Sequence, residues 1–549
     1  MRTPVALYLV ALAVRVALLA HFPDPAYPDS SYYVDVARSL AAGHGFNVDV
    51  VWIFAEVGGR IPSVPTLPIP SNAHWMPLAS LVQVPFIWLL GPTAVASALP
   101  FALAGALAAP LTWAIARDAG ARPLVANGAG LLAAFPTLLT VFLVQPDNFG
   151  LYEPLVAGAL WLGARGLRGD GRSFAAAGVL VGLATLARND GVLVLGALGL
   201  VFLVDRWRAW RSGGARRPAI PLWAAVTCAV VAGLIVAPWL ARQLAVFGSL
   251  SPSTASGKVL FIRSIEEWNS ITTPATLDHL LGMGIGPLLV SRLGGLVSAA
   301  TIFSVLAGGV ILVPFILLGA WGWRHSPDFV PFFTYAGILF AFSGLVSAVH
   351  VPGGTFIHSA VALVPHASIL ALLGLEAIVG WVAARRRSWN GEGAGRVFVG
   401  AAIVFAALTA LSSALATHSA WATRRDQEAA VAAALDAAGA PATDRLMSID
   451  AAGYRYATGR GGVVLVNDPL PTIEEVARAY GIRWLVLERA DSVPAAAPIL
   501  RGEARPAWIG APTLVLPDAA AASGGMPALA LYPVCLEPSD PRCATGGVP

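Results

Sequence analysis

The chain has 549 residues, of which 57% are hydrophobic and only 12% are charged, and its mean hydropathy is +0.71. A soluble protein of this length would carry roughly a quarter charged residues. The formal net charge of +4 does not indicate a nucleic-acid partner, because the basic residues lie in short loops between apolar runs. The composition therefore predicts a polytopic α-helical membrane protein.

Apolar runs of about 20 residues recur along most of the chain. The first run is predicted to be a retained anchor and not a signal peptide, because it is long, contains Arg15 and lacks a small-residue cleavage site before Pro23. About 11 transmembrane helices are predicted. Their approximate bounds are 5–22, 94–116, 123–143, 152–165, 174–187, 191–205, 221–241, 294–321, 329–349, 359–383 and 397–416.

The arginines indicate how these spans are oriented. If the N-terminus is cytoplasmic and the spans alternate, every arginine cluster between spans falls on the cytoplasmic side. The apolar run at 74–91 would invert this pattern if it were a span, so we expect it to lie along the outer membrane surface or to dip in and return. The first outer loop then covers about 23–93. The expected location is the plasma (inner) membrane.

The composition changes after the last span. Residues 1–416 are predicted to form the transmembrane domain, and 417–549 a small extracytoplasmic α/β domain, because helix-like stretches there alternate with strand-like ones such as GGVVLVN and RWLVLER. Cys535 and Cys543 are candidates for a disulfide if this end faces an oxidising compartment.

The first outer loop begins with YPDSSYYVDVARSLAAGHGF, which predicts a short amphipathic helix at the membrane interface. Asp29 or Ser30 is predicted to cap this helix, which ends at Gly43. Asp29 then stands just outside the lipid. For an isolated aspartate, a plain helix cap is the simpler interpretation.

Other polar clusters are predicted on the same face of the membrane, whereas the opposite face carries bare arginine turns. Each cluster alone fits a helix cap or an interfacial anchor, but together they favour a reaction centre, since ionisable groups so close to lipid are costly. The clusters contain Asp147 and Glu153 (QPDNFGLYEP), Arg188 and Asp190 (ARNDG), Lys258 (SPSTASGK), and His350 and His358 (HVPGGTFIHS).

The order of these motifs resembles the GT-C glycosyltransferases, the polyprenyl-phosphate-sugar-dependent class that includes protein O-mannosyltransferases and the aminoarabinose transferase of lipid A. The matching pieces are PDSSYYVDVARSLAAG after the first span, WMPL, the loop acid before EPL, LARNDG, GGTFIHS and a C-terminal extracytoplasmic domain. The resemblance implies that Asp29 is the catalytic acid/base. Family members often carry Asp-Glu in the first loop, whereas here Ser30 follows Asp29.

The chemistry of a sugar phosphate agrees with this role. Its phosphate is already a good leaving group, so one carboxylate that deprotonates the acceptor suffices, and a single displacement inverts the anomeric carbon. The phosphate needs cations, for which the outer-face candidates are Arg188, Arg242, Lys258 and Arg263. His74, His350 and His358 are candidates to assist or to bind a divalent metal, although no metal-ligand spacing is evident.

We therefore expect an integral membrane glycosyltransferase that moves a sugar from a polyprenyl-phosphate donor to a lipid, polysaccharide or protein acceptor outside the cytoplasm. The main alternative is a transporter or flippase of envelope glycan precursors, for which Arg15 and Glu376 would line a path, although the chain shows no internal repeat. A second alternative is an assembly or sensor protein that binds glycans without chemistry.

Overall fold

A computed structural model describes residues 2–213, 215–351, 354–386, 388–491, 493–517, 526–537, 540 and 542. Most of these residues are helical. The helices of the first half are α1 (Arg2–His21), α2 (Pro28–Ala41), α3 (Ile53–Glu56), α4 (Leu78–Leu81), α5 (Val84–Leu90), α6 (Ala94–Gly105), α7 (Ala108–Asp118), α8 (Pro123–Ala134), α9 (Phe149–Leu167), α10 (Gly171–Ala187), α11 (Val192–Arg211) and α12 (Leu222–Phe247).

The second half adds the remaining helices and most of the strands. The helices are α13 (Thr254–Lys258), α14 (Leu277–Leu281), α15 (Ile285–Gly308), α16 (Val313–Trp323), α17 (Val330–Ala341), α18 (Thr355–Ala360), α19 (Val364–Ala383), α20 (Gly391–Ala437), α21 (Ala451–Thr458), α22 (Leu470–Tyr480) and α23 (Ala497–Leu500). The strands of the described residues are β1 (Asn47–Val48), β2 (Val50–Val51), β3 (Ile69–Pro70), β4 (Arg445–Ser448), β5 (Gly462–Val464), β6 (Ile482–Glu488), β7 (Leu514–Leu516) and β8 (Leu529–Pro533).

The protein is a multi-pass membrane protein. Six helical segments within the described ranges are long and apolar enough to cross a bilayer, or seven if the bent pair Pro123–Ala134 and Thr137–Val144 is one span. This criterion gives fewer crossings than the 11 predicted, because several apolar helices such as α10 and α16 are shorter than a full span. The span predicted at 294–321 is wrong in its bounds, since α15 and α16 are separate helices that break at Gly309 and Val310, both at positive φ.

The first loop is more ordered than its Pro- and Gly-rich sequence indicates. The apolar run at 74–91 forms two short helices, α4 and α5, which pack against α2. β1 and β3 pair within the loop, and β2 leaves it to join a sheet formed otherwise by the C-terminal region. The sequence did not predict that two residues of the first loop pair with a strand of the C-terminal region.

The C-terminal region is an α/β domain, as expected. Its sheet has the order β2-β5-β4-β6-β8-β7. The first four strands are parallel to one another, and β8 runs antiparallel to both of its neighbours, β6 and β7. α20 runs unbroken past the predicted boundary at 416, so the last membrane helix leads directly into this domain. Cys543, the predicted partner of Cys535, lies outside the described residues.

Glycines let some helices of the bundle approach closely. A Cβ added at Gly374 of α19 would lie 2.0 Å from the carbonyl oxygen of Phe315 in α16, and one at Gly319 of α16 would lie 2.0 Å from that of Leu370. Small residues permit such backbone contact between membrane helices. The α16–α19 crossing therefore depends on both glycines.

A larger residue at the crossing is expected to lower the stability of the protein, and a glycine elsewhere on α19 serves as the control. Gly374→Ala would force α16 and α19 apart and should destabilise the protein by roughly 1–3 kcal/mol, as overpacking does. Gly380→Ala should be neutral or slightly stabilising, because a Cβ there meets nothing within 4 Å and alanine favours helix. Thermal unfolding of the two purified variants in detergent compares them; equal midpoints would contradict the proposed role of the crossing.

Candidate active site

Asp29 lies in the first turn of α2, where it does not cap the helix. Of the two predicted capping residues, Ser30 does take part in the cap: the helix begins at Pro28, and the Ser30 hydroxyl accepts hydrogen bonds from the backbone N–H groups of Ala26 and Tyr27 at 3.0 and 3.1 Å. The Asp29 carboxylate instead accepts a hydrogen bond from the Trp75 indole N–H at 3.1 Å. Because Ser30 caps the chain before α2, Asp29 is available for other contacts.

Asp147 lies in the turn that precedes α9 and is fully buried. Its carboxylate accepts hydrogen bonds from the Tyr27 hydroxyl at 3.0 Å and from the Asn148 backbone N–H at 2.5 Å. Gln145, in the same turn, accepts a hydrogen bond from the Ala26 N–H at 3.0 Å and donates one to the Asp24 carbonyl at 3.2 Å. The turn is thus joined to the segment that carries Asp29.

Asp29, Asp147 and His358 converge on one point. Each offers a ligand atom, and these three atoms lie within 4.8 Å of one another. The His358 ring stacks on Phe149 with centroids 4.3 Å apart, and its Nδ1 lies 3.8 Å from the Asp147 carboxylate. Two carboxylates and an imidazole form a donor set that fits a divalent cation.

Arg188 supplies the positive charge at this site. It follows α10, and its Nε donates to Asp190 at 3.0 Å; the Ser359 hydroxyl also donates to Asp190. Arg188 lies close enough to Asp29 and Asp147 for its charge to lower the pKa of both carboxyl groups. Asp190 thus orients Arg188, while Ser359, beside His358, fixes Asp190.

Burial perturbs both carboxylates. The pKa of Asp147 is raised to about 7, first because burial disfavours its charge and second because Asp29 lies beside it. Burial likewise raises the pKa of Asp29, although the Trp75 hydrogen bond and the charge of Arg188 oppose the rise. The pocket therefore tends to retain a proton near neutral pH.

Two further predicted residues, His74 and His350, lie near Arg188. Burial lowers the pKa of His74 to about 3 and that of His350 to about 4, and the charge of Arg188 contributes to both shifts. The His74 ring contacts the Ser253 hydroxyl at 2.6 Å, and Trp268 packs against both imidazoles. Both rings are neutral at pH 7 and can each donate one hydrogen bond.

The other predicted residues have their own partners. Arg242 packs over Phe46 and Trp239 and binds two backbone carbonyls. Lys258 donates to the Ser270 carbonyl, and Arg263 donates to the His279 carbonyl at 2.6 Å.

Glu153 is fully buried within α9, and its carboxylate has no hydrogen-bond partner among the residues that the structure describes. These four residues therefore lack the contacts that would join them to the carboxylate pair.

The sequence argument missed three residues of the pocket. Tyr27 and Trp75 bind the two carboxylates, and Tyr33 lies close enough to both for them to raise its pKa. All three are in stretches that the motif comparison already singled out, YPDSSYY and WMPL. Aromatic residues at an interface are common, however, so their type alone does not indicate a site.

Comparisons with known proteins bear on the fold. Residues 73–241 match the family model described as dolichyl-phosphate-mannose-protein mannosyltransferase. No curated protein sequence matches the chain significantly.

Among solved structures, ArnT from Cupriavidus metallidurans bound to undecaprenyl phosphate has a TM-score of 0.53 at 16% identity, covering 96% of this chain and 97% of that one. The Archaeoglobus fulgidus oligosaccharyltransferase tethered to an acceptor peptide has a TM-score of 0.52 at 15% identity, covering 88% of this chain and 69% of that one.

The chain has the GT-C fold. The resemblance to GT-C glycosyltransferases is thereby confirmed, and the family match confirms the enzyme class, a glycosyltransferase of the GT-C type. The matched residues 73–241 contain Asp147 and Arg188 but not Asp29 or His358. The fold brings Asp29, Asp147 and His358 together although 329 positions (358 − 29) separate the first from the last, and Arg188 lies close enough to lower the pKa of both carboxyl groups.

The raised pKa of Asp147 predicts a pH-dependent contribution to stability. An aspartate that binds its proton more tightly when folded stabilises the protein below its ordinary pKa of 3.8 and loses that contribution as the pH rises through about 7. Asp147→Asn cannot titrate, so its thermal midpoint should fall less between pH 4 and pH 7.5 than that of the wild type.

Thermal unfolding in detergent across this pH range tests the prediction. The exposed Asp278→Asn should follow the wild-type curve. If Asp147→Asn also followed it, the assigned shift in the pKa of Asp147 would be wrong.

Proposed function

We propose that this GT-C protein transfers a sugar from a polyprenyl-phosphate donor to an extracytoplasmic acceptor with inversion at the anomeric carbon. The observation that carries the proposal is the close approach of the Asp29 and Asp147 carboxylates, beside His358, at a place where the charge of Arg188 lowers the pKa of both. This arrangement combines a base with donors for a phosphate. The fold supports it, since one protein that shares the fold is bound to undecaprenyl phosphate.

Asp29 is the proposed base. Its carboxylate takes the proton of an acceptor hydroxyl, the acceptor oxygen bonds to the anomeric carbon, and the bond from that carbon to the phosphate oxygen breaks. The pKa of Asp29 is raised by burial, which makes it a stronger base than an exposed aspartate. Trp75 donates to one of its oxygens and so orients the carboxylate.

Arg188 is the proposed partner of the departing phosphate. Its guanidinium is held by Asp190 but retains N–H groups that can donate to an anion. His74 and His350 each add one neutral donor, and neutral donors in a buried pocket stabilise developing charge effectively. Asp190 and Ser359 act by positioning Arg188.

A divalent cation is proposed as an optional cofactor, with Asp29, Asp147 and His358 as its ligands. When bound, it would offset the negative charge of the phosphate. Without it, the raised pKa of Asp147 favours a protonated Asp147, which also relieves the repulsion between the two carboxylates.

The proposed topology has a cytoplasmic N-terminus and an extracytoplasmic C-terminal domain. It follows the positive-inside rule, because the arginine-rich turns lie at the ends of the helices opposite the pocket. The acceptor is a lipid, polysaccharide or protein on the extracytoplasmic side. The donor's polyprenyl chain reaches the pocket from within the bilayer.

Replacement of the proposed base gives a direct test. Asp29→Asn keeps the size of the side chain but removes the base, so the transfer rate should fall by about 100-fold or more. Asp35→Asn serves as a matched control, because Asp35 lies on the same helix and its side chain contacts Arg455 instead. Sugar transfer from an undecaprenyl-phosphate-linked donor in lipid nanodiscs measures both variants.

A well-folded Asp29→Asn protein with wild-type transfer would exclude the proposed base. Loss of transfer with Asp147→Asn but not with Asp29→Asn would assign that role to Asp147.

The topology can be tested with single cysteines in a Cys228→Ala background. Arg60 and Asn189 are exposed on the loops around the pocket, and Arg172 is exposed at the opposite end of α10. Cysteines at 60 and 189 should react with a membrane-impermeant maleimide on intact cells, and a cysteine at 172 only after permeabilisation. Labelling of 60 and 189 from opposite sides would exclude the proposed topology.

A further inference from the structure

Arg15 is a fully buried arginine on α1, the first membrane helix. Its Nη1 donates to the carbonyl oxygens of Ala11 at 3.2 Å and Ala134 at 3.4 Å. Its Nε and Nη2 atoms are also buried, and neither has a hydrogen-bond partner in the described part of the chain. A charged group with unsatisfied donors inside a membrane protein is costly and requires a partner.

Glu153 has hydrogen-bond acceptors without donors, just as Arg15 has donors without acceptors. It is fully buried on α9, and neither of its carboxylate oxygens has a hydrogen-bond partner among the described residues. Arg15 and Glu153 interact electrostatically, although neither hydrogen-bonds the other. Two donors and two acceptors are thus unsatisfied on neighbouring opposite charges, which is the situation that buried water resolves.

Glycine allows the two side chains to approach. Gly105 of α6 lies between α1 and α9, and a Cβ added there would be 3.2 Å from Arg15 Nε and 3.5 Å from the Cα of Gly150 in α9. Any larger residue at 105 would fill the passage through which the Arg15 side chain reaches α9. The absence of a side chain at Gly105 therefore gives Arg15 access to α9.

The positions of the pair connect it to the site. Arg15 is on the helix that precedes Asp29, and Glu153 is in the second turn of α9, the helix that follows Asp147. Gln145 joins the same two segments nearer the pocket. A link between α1 and α9 therefore acts on the separation of the two carboxylates.

We propose that Arg15 and Glu153 form a water-bridged ion pair that holds α1 against α9 and thereby sets the spacing of Asp29 and Asp147. Both are positioning residues, and this role rests on the proposed function of the two carboxylates. Glu153, which the sequence placed in the reaction centre, is therefore assigned to the support of the site instead. Arg15 thus has a structural partner, whereas the transporter alternative has it line a transport path.

The experiment uses the full-length protein in lipid nanodiscs and two readouts, thermal unfolding and the binding of undecaprenyl phosphate. The variants are Arg15→Met, Glu153→Gln, their double variant and the exchange Arg15→Glu with Glu153→Arg. Glu376→Gln is the matched control, because Glu376 pairs with Arg122 at another place in the bundle.

Each single change should lower the thermal midpoint and weaken undecaprenyl phosphate binding roughly tenfold, since small displacements at a site are costly. The double variant should be less destabilised than the sum of the single changes. The exchange should recover part of both losses, whereas Glu376→Gln should leave binding unchanged. Gly105→Ala, which narrows the passage without altering charge, should weaken binding in the same direction.

If the loss of thermal midpoint in the double variant equals the sum of the losses in the two single variants, Arg15 and Glu153 do not form an ion pair. If the thermal losses are not additive but all variants bind undecaprenyl phosphate as the wild type does, the pair does not position the carboxylates. If the exchanged protein does not fold, the double variant and Gly105→Ala still decide both points. Failure of the wild type to bind undecaprenyl phosphate would instead contradict the proposed function, and the thermal cycle would still test the pair.

Discussion

The site depends on one electrostatic constraint, which is that two carboxylates remain close together where little water can screen them. Asp29 and Asp147 repel each other, and burial adds to the cost of their charges. The opposing contributions are the guanidinium of Arg188 and the hydrogen bonds donated by Trp75 and Tyr27. A pocket balanced in this way favours a retained proton, because burial raises the pKa of both carboxyl groups.

The helical bundle has to supply this pocket from segments that are distant in the chain. Asp29 follows α1, Asp147 precedes α9, Arg188 follows α10 and His358 lies on α18. Each of these residues lies at or near a helix end, where backbone groups and side chains are free to bind a ligand without breaking the helical hydrogen bonds. The long helices therefore act as rigid supports, and close glycine contacts such as that at Gly374 set their distances.

The C-terminal domain belongs to the same structural unit as the membrane helices. α21 packs on α2 through Arg455, which binds Asp35 and Asp49, and Tyr456 donates to Asp24. Elsewhere in this domain, Asp468 accepts four hydrogen bonds from residues 270–272, the loop that carries Trp268 towards the histidines. Asp450, just before α21, is close enough to Asp29 to raise its pKa. The domain thus packs on the helix that carries Asp29 and also influences the electrostatics of the pocket.

The sequence by itself determined the membrane class, the GT-C resemblance and the predicted grouping of Asp29, Asp147, Arg188 and His358, because hydropathy and helix ends are local properties. Only the tertiary structure decided that β2 completes a sheet whose other strands lie some 400 residues later. It also decided that Trp75 and Tyr27 donate hydrogen bonds to the two carboxylates. The side chains of Arg242, Lys258 and Arg263 donate instead to backbone carbonyls elsewhere. Such contacts depend on how distant helices pack, and no local periodicity encodes which polar side chain finds which partner.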